Sequence, residues 1–190
     1  MDILPEIRNR KSPLVFDEKR DVEKAKLDAL IEAARWAPSC FNNQPWNYVF
    51  VGRKDATRRD VEDSLSRGND WAKRAPYLVV VGADPKKACD TNDLPYYAYD
   101  LGLSVMSAAI EAEHHGLRVH QMAGWDEKRM GRAAGFPDNY RVVVVFALGY
   151  EADAKKLWDS LDQRIRDRLA QPRTRKPSSE NFFFGRFGGA

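Results

Sequence analysis

Apolar residues recur along this chain in two rhythms. One repeats at three and four residues, the mark of a helix with one buried stripe; the other is a short unbroken apolar run, the mark of a strand buried on both faces. Ile3, Leu4 and Ile7 share one side of a short helix predicted over residues 2–11. Leu27, Leu30, Ile31 and Ala34 form a stripe on a helix over 22–37, which Pro38 closes. NYVFVG, residues 47–52, reads as a strand, and 55–67 as a charged helix with Val61 and Leu65 inward. A turn follows at 67–71, with a short helical piece to residue 74. YLVVVGA, residues 77–83, is a second strand, rich in β-branched side chains.

After a polar loop over 84–95 comes the longest helix, 96–116, which has no charge from 101 to 110. Ala98, Leu101, Val105, Ala109 and Ala112 mark one face, while Gly102, Ser104, Ser107 and Ala108 keep the other small. Such a helix suits the centre of a core or an interface. Residues 117–122 form a third strand. Asp126 caps a short helix to residue 134, which Phe136–Pro137 ends. RVVVVFALG, residues 141–149, is the fourth and most apolar strand, and a last helix spans 154–169 with Leu157, Leu161 and Ile165 inward. Strands alternate with helices, so one sheet covered by helices is expected. The remainder, residues 170–190, has no period, yet Phe182, Phe183, Phe184 and Phe187 are too apolar for open water. A tail of this kind docks on its own body or on a partner chain.

One stretch breaks the pattern. AARWAPSCFNNQPW, residues 33–46, carries no charge after Arg35, only hydroxyls, side-chain amides and prolines between Trp36 and Trp46. Both tryptophans are large enough to demand burial, and buried amides need partners. A flat, polar-edged ligand would supply them; so would the turn's own backbone, in a purely structural turn.

Composition narrows the class. The chain has 190 residues, 31% charged and 43% hydrophobic, which suits one folded domain over 1–190. A net charge of +3 gives no argument for nucleic acid. No apolar run approaches the ~20 residues of a membrane helix, and the N-terminus lacks a signal-peptide core, so a cytoplasmic protein is expected. Cys40 and Cys89 have no CxxC spacing and need not pair; a reducing compartment is assumed, with Cys40 a small packed thiol rather than a nucleophile. No GxGxxG or GxxxxGK[ST] occurs, and His114, His115 and His120 lack zinc-site spacing, so no metal is expected. Basic residues gather at both ends: Arg8, Arg10 and Lys11, then Arg173, Arg175 and Lys176. A solvated helix C-terminus explains the first group. If both ends meet the uncharged turn, they offer a phosphate clamp beside amides suited to a planar heterocycle.

Several segments resemble the FMN-dependent nitroreductase family. RKSPLVF, residues 10–16, is similar to its Arg-x-Ser-x-(basic)-x-Phe opening, and APSCFNNQPW, residues 37–46, to its Ala-Pro-Ser-x-x-Asn-x-Gln-Pro-Trp signature. Asn69 to Pro76, GLRVHQMAGWD at 116–126 and RTRKP at 173–177 match in order and spacing. The resemblance implies an α+β sandwich with a central, mostly antiparallel sheet covered by helices. It also implies a homodimer that exchanges C-terminal tails and holds FMN at its interface. Arg10, Arg173 and Arg175 would hold the phosphate, aided by Lys11 and Ser12. Pro38, Ser39 and Cys40 would line the ring from the partner, with Asn42 and Gln44 on ribityl or ring atoms. Asn69 would meet the pyrimidine edge, and the backbone of Ala123 and Gly124 the flavin N5. The implied activity is ping-pong: hydride from NAD(P)H to N5, then to an electron-poor acceptor such as a nitroaromatic or quinone. No catalytic side chain is required, and Phe41, Trp71 and Trp125 are candidates for the channel wall. Two alternatives remain: an FMN enzyme for a dedicated metabolite without NAD(P)H, or a flavin-binding regulatory module. Leu14 departs from the pattern, since it stands where the family often has a cation facing the pyrimidine.

Overall fold

Two runs of β-branched residues, YLVVVGA and RVVVVFALG, lie side by side at the centre of a four-stranded sheet. The structure is a computed structural model that describes residues 2–188. The elements follow in the order α1 (Pro5–Asn9), α2 (Lys24–Arg35), β1 (Asn47–Gly52), α3 (Arg58–Asp63), β2 (Tyr77–Ala83), β3 (Asp90–Thr91), β4 (Leu94–Pro95), α4 (Tyr97–His114), β5 (Arg118–Met122), α5 (Glu127–Ala133), β6 (Arg141–Gly149), α6 (Ala154–Leu157) and α7 (Gln163–Ala170). The chain divides into two compact units between Ala154 and Lys155.

In the first unit four strands form one sheet in the order β1-β2-β6-β5, with every pairing antiparallel. This is the expected α+β class. Alternate residues of the two central strands are buried on both faces, which explains why their sequences are apolar without alternation. Val79, Val81, Phe146 and Leu148 pack with Leu30 of α2 and with Leu101, Val105, Ala109 and Ala112 of α4 in one cluster. The uncharged helix of the sequence is thus a core helix of this unit. Leu78, Val80 and Val145 on the other face are as fully buried, on the side where α5 packs on β6 and against α3. At Gly149 the strand passes so close to Pro76 that an added Cβ would lie 2.4 Å from Pro76 Cδ, so only glycine fits.

Several boundaries differ from the sequence expectation. The helix expected over 154–169 is interrupted: a 3-10 turn spans Trp158–Ser160, Leu161 is extended and buried, and α7 starts after Asp162, whose carboxylate accepts from the Arg164 N–H. Ser160 Oγ donates back to the Leu157 carbonyl, so local side-chain bonds outcompete the helix there. The loop over 84–95 contains a small hairpin, β3–β4, turned by Asn92 and Asp93 at φ 54° and 59°. Both central residues of such a tight turn require positive φ. Ile3, Leu4 and Ile7 are exposed rather than packed inward.

The cysteine expectation is overturned. Cys40 and Cys89 are joined by a disulfide, with Cα atoms 6.1 Å apart. The turn and the hairpin bring together two residues whose spacing gave no hint of pairing, and Cys40 is not a free packed thiol. The cysteines therefore lend no support to a reducing compartment. Among the described residues no helix is long and apolar enough to cross a membrane.

Candidate functional site

Three of the matched segments converge where β5 ends. The N-terminal segment over 13–17 runs beside the end of β6, with an isolated bridge from Phe16 to Glu151: Ala152 N–H donates to the Val15 carbonyl and Asp17 N–H to the Tyr150 carbonyl. His120, on β5 and buried, places Nδ1 2.6 Å from the Pro13 carbonyl oxygen, so that nitrogen carries the proton and donates. Its ring lies 4.2 Å from that of Trp71, which in turn stacks on Phe16. Trp71 is therefore core; its buried Nε1 has no hydrogen-bond partner among the described residues. Trp125 is half-buried and bridges to Leu65, while Phe41 is 92% exposed.

Beyond Met122 the chain leaves the sheet at Ala123 and Gly124. Asn69 holds this turn: its Nδ2 donates to the Ala123 carbonyl at 2.8 Å and to the Gly124 carbonyl at 2.9 Å. Gly124 has φ +99°, and a Cβ there would sit 3.2 Å from Ser66 Oγ. Glycine is required by conformation and by space. Asn69 itself is buried, whereas Ala123 and Gly124 face solvent. The amide hydrogens of Asn69 are thus committed to the fold.

Arg10 follows α1 and its N–H donates to the Glu6 carbonyl. Ser12 is exposed beside it. Lys11 is engaged by Glu151 at 2.8 Å, and Glu151 also faces Arg118 Nε at 3.4 Å. Leu14 is buried, so no cation replaces the one the family often has there; Lys73 pairs with Asp70 at 2.8 Å. Arg173 and Arg175 lie exposed in the second unit, where Arg175 Nη1 donates to the Thr174 carbonyl.

The uncharged turn is held separately. Gln44 N–H donates to Ser39 Oγ at 3.0 Å, and Gln44 Nε2 reaches the carbonyl and Oδ1 of Asn42. Cys40 N–H points between both carboxylate oxygens of Asp100, each 3.2 Å away. Asp100 sits in the first turn of α4 and is fully buried, a role that sequence reasoning did not see. A lone acid opening an uncharged helix was its only signal. The amides of Asn42 and Gln44 are exposed, not buried as expected, and Trp36 is 75% exposed. The indole N–H of Trp36 donates to Glu32. Bonds from Arg35 first, and then from Trp36, pull the Glu32 carboxyl down to about 2. So the expectation that Trp36 needs burial fails for this chain alone, and the turn satisfies its own polar groups while offering outward amides and aromatic surface.

Comparison with known proteins places the chain among relatives of one family. The nitroreductase family profile matches residues 7–70, which include the N-terminal segment, the uncharged turn and Asn69. The chain is 36% identical over 134 residues to an uncharacterised 15.4 kDa protein of Mycolicibacterium smegmatis, covering 70% of this chain and 86% of that one. It is 27% identical over 177 residues to an Archaeoglobus fulgidus protein provisionally named NADH dehydrogenase/NAD(P)H nitroreductase, covering 88% and 96%. A crystal structure described as an oxidoreductase containing FMN superposes with a TM-score of 0.86 at 28% identity, over 100% of this chain and 95% of that chain. With its all-antiparallel sheet, its Asn69-held turn at the end of β5 and these relatives, the chain belongs to the nitroreductase family.

Proposed function

We propose that this chain is an FMN-dependent oxidoreductase that draws electrons from NAD(P)H and passes them to an electron-poor acceptor, such as a nitroaromatic or a quinone, in ping-pong order. The observation that carries this is the bracket at the end of β5. His120 ties the Arg10–Ser12 segment's next residue to β5, and Asn69 pins the Ala123–Gly124 turn, so an arginine, a hydroxyl and an exposed backbone edge are set by one packed cluster. That donor set fits a phosphorylated planar cofactor. Guanidinium groups and a hydroxyl suit a phosphate dianion, and amide and backbone groups suit the edge of a pyrimidine. The relatives' names point the same way.

In this reading Arg10, Arg173 and Arg175 bind the phosphate and Ser12 adds a hydroxyl. Lys11 contributes long-range charge, since its ammonium is held by Glu151. Asn69 presents its carbonyl oxygen, and the backbone of Ala123 and Gly124 faces the reactive edge. Bound FMN supplies the two-electron carrier between nicotinamide and acceptor. The protein's part is to orient both substrates in turn on one face and to leave proton delivery to water.

The site is completed by a second copy. Trp36, Phe41, Leu94 and Tyr99 are all more than 60% exposed and occur in and around the uncharged turn and the start of α4, an apolar surface of the kind a partner covers. Pro38, Ser39, Cys40, Asn42 and Gln44 then reach the partner's cofactor, and the phenylalanine-rich tail exchanges onto the partner's sheet.

The test is direct. Purified protein is expected to be yellow or to take up FMN, and NADH or NADPH is expected to bleach it anaerobically. The double variant Arg10→Ala with Arg175→Ala loses two charge-assisted bonds of about 1.5–3 kcal/mol each, so FMN affinity is expected to fall on the order of 100-fold or more. Full FMN occupancy in that variant, or a colourless protein that refuses added FMN, overturns the assignment.

A further inference from the structure

The turn over 39–44 adopts a shape that its residues do not favour. Phe41, Asn42 and Gln44 have φ of 48°, 56° and 46°. Asparagine tolerates this left-handed region; phenylalanine and glutamine enter it only where the surroundings impose it. Bonds within the turn, such as Gln44 N–H to Ser39 Oγ, help hold it, and two ties to distant parts of the chain meet at Cys40. Its N–H is gripped by the buried Asp100 carboxylate, and its sulfur is bonded to Cys89. Cys89 is itself anchored at the foot of the β3–β4 hairpin, where its carbonyl accepts from the Tyr96 N–H at 2.9 Å. Beside the disulfide, the turn meets the hairpin side through the weak contact of Asn43 Nδ2 with Cys89 Sγ at 3.4 Å. Both cysteines are partly exposed in the single chain, so an external thiolate can reach the bond before the proposed partner and FMN cover it.

We propose that the Cys40–Cys89 disulfide is a dithiol-reversible clamp that sets the order of the uncharged turn and, through it, the protein's hold on FMN. The clamp stands on the geometry above; its effect on FMN rests on the function proposed in the preceding subsection. One thiolate of a dithiol attacks one Sγ, and the other cysteine leaves as a thiolate and takes a proton. The second thiol of the reagent then resolves the mixed disulfide. In sum Cys40 and Cys89 gain two electrons and two protons, and the dithiol loses the same and becomes a disulfide. The freed turn relaxes at Phe41 and Gln44, and the fraction of chains in the bound shape falls.

The experiment uses the full chain stripped of FMN, air-oxidised in one sample and reduced with dithiothreitol then desalted anaerobically in the other. Alkylation and mass measurement are expected to find no free thiol in the first and two in the second. Hydrogen exchange is expected to quicken on reduction within residues 39–44 and 85–96. FMN affinity, read by flavin fluorescence, is expected to weaken about tenfold. Cys89→Ser, if it folds, is expected to show fast exchange and weak binding under both conditions. Two free thiols in the oxidised sample, unchanged exchange, or an FMN affinity indifferent to reduction each overturns the proposal. Loosening on reduction in a protein that binds FMN in neither state sinks the flavin assignment and leaves the clamp supported.

Discussion

Arg58 shows how much one side chain can organise. It is a surface-type residue in a charged run, yet it is 6% exposed. Its guanidinium donates to the carbonyls of Val51, Lys73 and Ala75 at 2.9–3.0 Å, and its Nε to Glu62 at 2.6 Å. It thereby ties the end of β1 to the segment that enters β2. Replacing it with methionine fills the volume but leaves buried carbonyls without donors, so Arg58→Met is expected to cost ~3 kcal/mol of stability. An unfolding free energy from urea titration lowered by less than about 0.5 kcal/mol would contradict this. The sequence held no sign of it: Arg58 and Arg59 are neighbours of one type, and only the path of the chain decides which is buried. Trp36 is the opposite case, a large apolar side chain left exposed beside Glu32 and Arg35. Size predicts a wish for burial, but not which surface provides it.

Between elements, a short polar chain links three that are distant in sequence. The Tyr48 hydroxyl of β1 is 2.8 Å from Ser104 Oγ of α4, and Ser104 Oγ donates to the Ala34 carbonyl of α2. Burial pushes the Tyr48 phenol up to about 12, against a partial offset from Ser104. A raised pKa means that the folded state holds the proton more tightly than the unfolded chain. The stability from keeping Tyr48 neutral is therefore fully present below pH ~10 and is lost as the pH climbs toward 12. Tyr48→Phe is expected to flatten the fall in stability over that window; an unchanged alkaline profile would show that another group governs it. The small serine at position 104 was read from the sequence as room for a close approach, and it is a hydrogen-bond hub as well. The last predicted helix was broken by Ser160 and Asp162, whose local bonds a simple apolar period does not count.

At the scale of the whole molecule, the tail bears on the proposed dimer. Phe182, Phe184 and Phe187 are 73–92% exposed, with Phe183 edge-on to Phe187. Surface of this kind is costly unless a partner covers it. Removing residues 178–190 is therefore expected to weaken the proposed dimer, read as a shift from dimer to monomer on dilution in analytical ultracentrifugation. A truncated chain that stays dimeric at the lowest concentration would refute tail exchange.

The four strands of the sheet, the helices between them and the order of the proposed site segments were legible in the linear chain, because burial leaves unbroken apolar runs or a period of 3.6 residues that neighbouring positions record. So were the FMN-type motifs, each of which is local. What folding added are closures over long distances. His120 meets Pro13 across 107 positions, Asp100 grips Cys40 across 60, and Cys40 bonds Cys89 across 49. No periodicity carries such pairs, since the free energy of closing a long loop hardly depends on which partners close it. Which carboxylate, imidazole or thiol ends up beside which backbone atom is settled only when the sheet and α4 pack.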